Sequence, residues 1–215
     1  MIEIENLSKS YGSQQVLKDI SLRFEGGHIY GLVGANGCGK TTLMRCICGL
    51  ARPDRGSVRV LGKTIGRDCD FAPATGVIIE TPGFLPHYSA ARNLRILALI
   101  SGKADKARIE TVIRRLGLDP ADKKPVGKYS LGMRQRLGIA QAIMEDPDIL
   151  ILDEPFNGLD AEGNADIHRL LRELRDQGKC ILLASHSRHD IGQACDRLCT
   201  LEKGRAAWTD GAEGA

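Results

Sequence analysis

Apolar residues occur along this chain in two patterns, short dense runs and longer stretches with helical spacing. Dense runs that are bounded by glycine, proline or charged residues predict β-strands. We predict strands at Met1–Glu5, Val16–Phe24, His28–Val33, Val58–Leu61, Val77–Ile79, Ile149–Leu152, Cys180–Ala184 and Leu198–Glu202.

Between these strands, apolar residues recur every three or four positions, which predicts helices with one buried face. Gly49, Gly117 and Gly178 follow three of these stretches, and glycine is typical just beyond a helix C-terminus. The predicted helices are Thr41–Cys48, Ser89–Ile100, Asp105–Leu116, Ser130–Met144, Ala161–Asp176 and Ser187–Cys195.

The order of these elements predicts the fold class. Alternating strands and helices indicate an α/β core with a mostly parallel sheet that is covered on both faces, preceded by an N-terminal antiparallel β part. Three consecutive helices without a strand indicate an inserted helical subdomain at about 86–144. We predict a single domain over residues 1–215, with the core at 1–85 and 145–208 and a frayed tail at 209–215.

Composition narrows the class of protein. The chain has 215 residues, 42% of them hydrophobic, and a net charge of +3, so one sizeable domain can form and a nucleic-acid partner is not indicated. No apolar run is long enough to cross a bilayer, and the N-terminus does not resemble a signal peptide. We expect a soluble, cytoplasmic chain.

The seven cysteines include no CxxC pair. This spacing favours reduced thiols, several of them buried, over a disulfide framework. A metal site formed by Cys195 and Cys199 with His186 and His189 is an alternative that the spacing leaves open.

The segment after the third predicted strand has the composition of a phosphate-binding loop, because it matches a glycine, four residues and then G-K-T. Glycines let successive backbone N–H groups point at one anion, and the next helix adds the positive end of its dipole. We predict that Lys40 reaches the terminal phosphates of ATP and that the Thr41 hydroxyl binds Mg²⁺. The predicted loop residues are Gly34, Ala35, Asn36, Gly37, Cys38, Gly39, Lys40, Thr41 and Thr42.

Two acids follow the predicted strand Ile149–Leu152. A buried strand that ends in a carboxylate places it at the edge of the sheet where ligands bind in open α/β folds. Asp153 is predicted to hold Mg²⁺ and Glu154 to activate the attacking water. Together with the loop, these acids predict a nucleoside-triphosphate hydrolase with a P-loop NTPase, RecA-like core.

Through these motifs and those below, the chain resembles the nucleotide-binding domain of an ABC transporter over nearly its whole length. Tyr129–Gln135, with the sequence YSLGMRQ, resembles the ABC signature LSGGQ, although leucine replaces the first glycine and methionine the glutamine. The resemblance implies that Ser130 and Gly132 contact the γ-phosphate of ATP bound by a partner subunit. A hydroxyl and free N–H groups at a helix N-terminus suit such an anion.

Three smaller matches support the resemblance. Asn157–Asp160 resembles the D-loop, which implies that Asp160 lies at the dimer interface near the nucleotide. His186 follows the strand Cys180–Ala184, as the switch histidine of the family does, which implies a contact with the γ-phosphate. Tyr11 lies where the family places an aromatic residue on adenine, and a packed turn residue is the alternative.

One position departs from the broad family. Most members have a glutamine near the metal after the strand that corresponds to Val77–Ile79, but here the candidate is Glu80, in the sequence IETPGF. The glutamate and the sequence that follows it are similar to the branch that exports bacitracin and lantibiotic peptides. The resemblance implies that Glu80 contributes to the Mg²⁺ site and that its loop contacts the membrane subunit.

The resemblance implies an ATPase subunit of an ABC exporter, with ATP and Mg²⁺ as cofactors and a separate permease as partner. Two copies would bind ATP head to tail, and the chain would lie on the cytoplasmic face of the membrane, attached only through the permease. An ABC importer ATPase is one alternative. A soluble, non-transport ABC ATPase is another, although the short stretch between Lys40 and Ser130 leaves no room for a long coiled coil.

Overall fold

The computed structural model describes residues 1–186 and 188–209, without the side chains of Arg188 and His189. Across these ranges the chain forms ten strands and six α-helices. The strands are β1 (Ile2–Tyr11), β2 (Gln14–Phe24), β3 (His28–Val33), β4 (Arg55–Val60), β5 (Lys63–Thr64), β6 (Thr75–Ile78), β7 (Ile149–Asp153), β8 (Cys180–Ala184), β9 (Arg197–Glu202) and β10 (Arg205–Trp208). The helices are α1 (Lys40–Cys48), α2 (Ala90–Ser101), α3 (Lys106–Arg115), α4 (Leu131–Ile143), α5 (Ala161–Asp176) and α6 (Arg188–Ala194), and Val126–Lys128 forms a 3₁₀ turn.

The N-terminal sheet is antiparallel, with the order β2-β1-β4-β5 among the described strands. Successive side chains of a strand point to opposite faces, so Ile2 and Ile4 are buried on the same face of β1. Asn6 has a φ of 50° and the pairing with β2 shifts register there. This bulge turns Leu7 into the core, which alternation alone would have left outside.

The second sheet has the order β10-β9-β3-β8-β7-β6 in the part of the chain that the structure describes. Its strands from β9 to β6 are parallel, and β10 adds an antiparallel edge. β8 lies between β3 and β7, with Ala184 beside both Leu32 and Asp153. The carboxyl ends of β3 and β7 therefore meet at one edge of the sheet, which brings the phosphate loop to the two acids.

Two apolar clusters cover the faces of the parallel sheet. One lies between the two sheets and contains Leu43 and Met44 of α1 together with Tyr30 of β3. The other packs residues of α2 to α5, such as Ile139 and Leu171, against the opposite face. Burial of both faces explains why β7 and β8 are continuous apolar runs instead of alternating ones.

The predicted fold class is confirmed, with an antiparallel N-terminal sheet and a largely parallel sheet. The pattern did not predict β5, which has two residues, or β10, whose backbone is paired with β9. The boundaries of a helical subdomain at 86–144 stay a prediction. Ser187, at the start of the last predicted helix, and residues 210–215 of the predicted frayed tail lie outside the described residues.

None of the helices in the described ranges is both long enough and apolar enough to cross a membrane.

Candidate active site

The loop between β3 and α1 requires glycine at two positions. A Cβ on Gly34 would lie 2.3 Å from the carbonyl oxygen of Leu201, so no side chain fits there. Gly39 is the N-cap of α1 with a φ of 112°, which residues with a Cβ rarely adopt. The first turn of α1 contains no acidic residue. The positive end of the helix dipole is therefore available to an anion at the loop.

Lys40 begins α1 and is only 8% exposed. Its Nζ donates hydrogen bonds to the carbonyl oxygens of Gly34 at 2.7 Å and Ala35 at 3.2 Å. These bonds hold the ammonium group over the loop. A fixed positive charge beside exposed backbone N–H groups is suited to bind phosphate oxygens.

Thr41 and Asp153 form the second part of the site, where the Thr41 hydroxyl donates to the Asp153 carboxylate at 2.8 Å. Burial raises the pKa of Asp153, and the charges of Glu154 and Glu80 raise it further, whereas Thr41 and Lys40 lower it. Carboxylates that repel one another are stabilised by a cation between them. Hydroxyl and carboxylate oxygens are also the ligands that Mg²⁺ prefers, so these residues fit the predicted metal.

Glu154 is held by three hydrogen bonds from the segment after β8. Ser185 Oγ donates to one carboxylate oxygen at 3.1 Å, and the backbone N–H of His186 donates to the other at 2.9 Å. His186 Nδ1 lies 2.8 Å from Glu154 Oε2. Because a carboxylate only accepts, Nδ1 carries the proton in this contact, which leaves Nε2 of the ring directed elsewhere. The two residues form a base and a group that orients it.

Lys40, Thr41, Asp153 and Glu154 line a single cavity of about 780 Å³, the size of a site for a small molecule, whereas Ser185 and His186 are not part of its wall. Its wall includes nine of the predicted site residues, namely Asn36, Gly37, Gly39, Lys40, Thr41, Thr42, Glu80, Asp153 and Glu154. Eight further wall residues, from β2, the loop after β6, α4 and the loop after β7, were not among the predicted site residues: Gln14, Val16, Thr81, Pro82, Leu131, Arg134, Gln135 and Asn157. No local motif marks Gln14 or Val16, since only the packing of the first sheet brings them to the cavity.

Glu80 lies on the wall of the cavity but its carboxylate has a partner in the protein. Arg45, in the last turn of α1, donates to Glu80 Oε1 at 2.7 Å. The Glu80 side chain is 63% exposed, so solvent screens this ion pair and it contributes little to stability. A contact between Glu80 and the metal stays a prediction. It would require the Glu80 carboxylate either to bind the metal and Arg45 at the same time or to break its hydrogen bond with Arg45.

Comparison with known proteins agrees with this geometry. The family model described as "ABC transporter" matches residues 17–157. The chain belongs to the ABC transporter family.

Curated relatives in the ABC transporter family match almost the whole length of this chain. An uncharacterized ABC transporter ATP-binding protein, YybJ of Bacillus subtilis (strain 168), is 44% identical over 205 residues, with 95% of this chain and 94% of the relative covered. The bacitracin transport ATP-binding protein BcrA of Enterococcus faecalis is 42% identical, with coverage of 95% and 67%. The lantibiotic transport ATP-binding protein SrtF of Streptococcus pyogenes is 34% identical, with coverage of 95% and 88%.

Solved structures share the fold. An ATP-binding subunit of an ABC transporter superimposes with a TM-score of 0.87 at 28% identity, with 98% of this chain and 90% of that chain covered. A dimeric bacterial ABC transporter cassette superimposes with a TM-score of 0.86 at 22% identity, with coverage of 98% and 100%. The recognition of the family from the phosphate loop, the paired acids and the signature is therefore confirmed.

The residues that the ABC resemblance assigns to a partner's nucleotide are not part of the cavity wall, although Leu131, between two of them, is. Ser130 is the N-cap of α4 and accepts a hydrogen bond from the Met133 backbone N–H at 3.2 Å. Asp160 caps α5 in the same way, through Gly163. A Cβ on Gly132 would lie 2.6 Å from the carbonyl oxygen of Gly158, so the signature packs closely on the D-loop. Their roles across a dimer stay predictions.

Tyr11 ends β1 and is 49% exposed. Lys9 Nζ lies 5.3 Å from the centroid of its ring, a cation–π contact. Tyr11 does not line the cavity, although Gln14 and Val16 of the neighbouring strand do. An adenine stacked on this ring would therefore extend out of the cavity, and this role stays a prediction.

All seven cysteines are free, in agreement with the predicted reduced thiols. Burial raises the pKa of Cys46 to about 11 and those of Cys195 and Cys199 to about 12, so these thiols stay protonated. The described residues contain no group of three or more histidine, cysteine, aspartate or glutamate side chains that could hold a metal ion by themselves. The alternative metal site also involves His189, whose side chain lies outside the described residues.

Proposed function

We propose that this chain is the ATP-hydrolysing subunit of an ABC exporter that moves a peptide antibiotic or another drug through a separate membrane permease. The observation that carries this proposal is the convergence of Lys40, the Thr41–Asp153 pair and Glu154 on one cavity. The similarity to BcrA and SrtF, a bacitracin and a lantibiotic transport ATP-binding protein, supports the substrate class.

In this proposal the ATP phosphates lie against the loop and the N-terminus of α1. Lys40 moves its donors from the Gly34 and Ala35 carbonyls to phosphate oxygens, so the ammonium group pairs with an ionised acceptor in place of a neutral one. Thr41 and Asp153 would hold Mg²⁺, which would supply positive charge against the phosphates when bound.

Glu154 accepts a proton from the attacking water as general base. Its carboxylate is oriented for this by Ser185 and by His186. We propose that Nε2 of His186, on the far side of the ring from that contact, meets the γ-phosphate. Capture and release of ATP between two head-to-tail copies would move the permease.

The net charge of the chain is only +3, and it gives no indication of a nucleic-acid partner.

The proposed function is tested in a bacterial host from which the gene for this chain has been deleted. We expect deletion to lower the minimal inhibitory concentration of bacitracin or of a lantibiotic. Wild-type protein should restore resistance, and the variant Glu154→Gln should not. Unchanged susceptibility to both peptides, together with co-purification of an extracellular solute-binding protein and a permease, would contradict export and indicate import.

The Glu80→Gln variant tests the proposed role of the glutamate. Removing the charge of Glu80 lowers the negative charge around Asp153 and Glu154 that would attract Mg²⁺. We therefore expect the Mg²⁺ concentration for half-maximal hydrolysis to rise about two- to fivefold. Coupling of hydrolysis to the permease should also weaken. A Mg²⁺ titration of ATPase activity, with and without permease, measures both effects.

The matched control for this variant is Glu173→Gln, which removes another partly exposed carboxylate that is paired with an arginine, Arg115. This pair lies outside the cavity, so the control should leave the Mg²⁺ dependence at the wild-type value. If Glu80→Gln behaves like the control in both assays, the glutamate has no special role.

A further inference from the structure

One side chain of the signature helix reaches the backbone of the predicted general base. Gln135 lies in the second turn of α4 and is only 7% exposed. Its Nε2 donates a hydrogen bond to the backbone carbonyl oxygen of Glu154 at 3.1 Å. The two residues are 19 positions apart in the sequence.

The backbone of Glu154 needs such support because its conformation is unfavourable. Its φ is 51°, a left-handed value that costs about 1 kcal/mol or more for a residue other than glycine. Its N–H donates to the Ala184 carbonyl oxygen at 2.8 Å, and its carbonyl oxygen also accepts from Asn157 N–H at 3.2 Å. Gln135 thus supplies the side-chain bond that ties this strained residue to the helical part of the chain. A change in its position would turn the Glu154 carboxylate.

The same helix begins at the signature. Ser130 caps α4 five residues before Gln135, which is about 7.5 Å along the axis of a helix. Further along, a Cβ on Gly138 would lie 2.7 Å from Pro82, so α4 also packs on the loop that follows Glu80. A helix of 13 residues shifts as a unit, so displacement of its N-terminus is transmitted to Gln135.

We infer that Gln135 is a positioning residue that couples the two ATP sites of a dimer. The inference rests on the proposed function, in which Ser130 and Gly132 bind the ATP held by a partner copy. When Ser130 and Gly132 bind that ATP, the N-terminus of α4 moves towards it. The Gln135 hydrogen bond transmits this movement to Glu154 in the ATP site of the same chain. Each copy then hydrolyses ATP at full rate only when its signature is engaged.

The test is the variant Gln135→Met, which keeps the length and packing of the side chain but has no N–H donor. Loss of one hydrogen bond to a strained backbone should lower kcat about five- to tenfold. The KM for ATP should stay unchanged, because Gln135 makes no bond to the loop at Lys40. The Hill coefficient for ATP should fall from its wild-type value, above one, to about one.

Gln141→Met is the matched control, since Gln141 is a partly buried glutamine on the same helix and does not line the cavity. It should keep the wild-type kcat and Hill coefficient. The double variant Ser130→Ala and Gln135→Met adds a readout that a merely structural role would not change. If Ser130 acts on Glu154 through Gln135, the fold-decrease in kcat of the double variant should be smaller than the product of the fold-decreases of the two single variants.

Thermal unfolding of each variant accompanies the kinetics. If Gln135→Met is unfolded at the assay temperature, Gln135→Leu replaces it, because leucine also has no N–H donor and should show the same loss. A wild-type kcat and Hill coefficient in the folded variant would overturn the inference and leave the proposed function intact. Absence of ATP hydrolysis by the wild-type protein would instead contradict the proposed function, and the inference with it.

Discussion

Replacement of Glu154 by glutamine is expected to lower ATP hydrolysis by a factor on the order of 10²–10⁴, while ATP binding persists. The amide keeps the size of the side chain. It can still accept from the His186 N–H, and the Ser185 hydroxyl can rotate to accept from the new NH₂ group. The fold of the site should survive, but the amide cannot take a proton from water.

A dimer that binds ATP without hydrolysing it should accumulate. Size-exclusion chromatography of the variant with ATP should therefore show a species of twice the monomer mass, which the wild type forms only transiently. Glu202→Gln, an exposed carboxylate outside the cavity, is the control and should behave like the wild type. Wild-type turnover by Glu154→Gln would remove this residue from the mechanism.

Replacement of Lys40 by methionine is expected to weaken ATP binding by about 30-fold or more. The estimate follows from the roughly 2–5 kcal/mol that truncation of one partner in a buried charged contact costs. Lys40 is 8% exposed and held over the loop by two backbone carbonyls, so its charge acts on phosphate with little screening. The methionine keeps the apolar part of the chain, so α1 should still form.

Fluorescence titration with a labelled ATP analogue measures the Kd of this variant. Lys63→Met, at an exposed lysine on the short strand β5, is the control and should leave the Kd unchanged. ADP binding should weaken less than ATP binding, because Lys40 is proposed to reach the terminal phosphates. Equal affinities of wild type and Lys40→Met for ATP would contradict this placement of the ammonium group.

The parts of the site that follow from local sequence were predictable. The phosphate loop runs from a strand to a helix, and its glycines are required by φ and by close backbone contacts at Gly34 and Gly39. Asp153 lies at the end of an apolar strand, and the parallel sheet brings it to Thr41. The loop depends on residues that are adjacent in the chain. The position of Asp153 beside Thr41, 112 residues away, follows from the general rule that the carboxyl ends of parallel strands meet at one edge of the sheet.

Contacts between distant residues were not predictable in the same way. Nothing in the local pattern around Arg45 indicates that it pairs with Glu80, 35 positions away. The bond from Gln135 to Glu154 depends on how α4 packs beside β7, and the wall residues Gln14 and Val16 depend on the position of the first sheet.

By itself, the sequence determined the elements, their order and the chemistry that the motifs carry, because hydrophobic periodicity and turn residues act over a few positions. The tertiary structure alone decided which side chains share the cavity and which hold Glu154 in place. Such contacts form when separate elements bury their apolar faces against one sheet, and their partners lie far apart in the chain. Ser185, His186 and Gln135 meet at Glu154 for this reason.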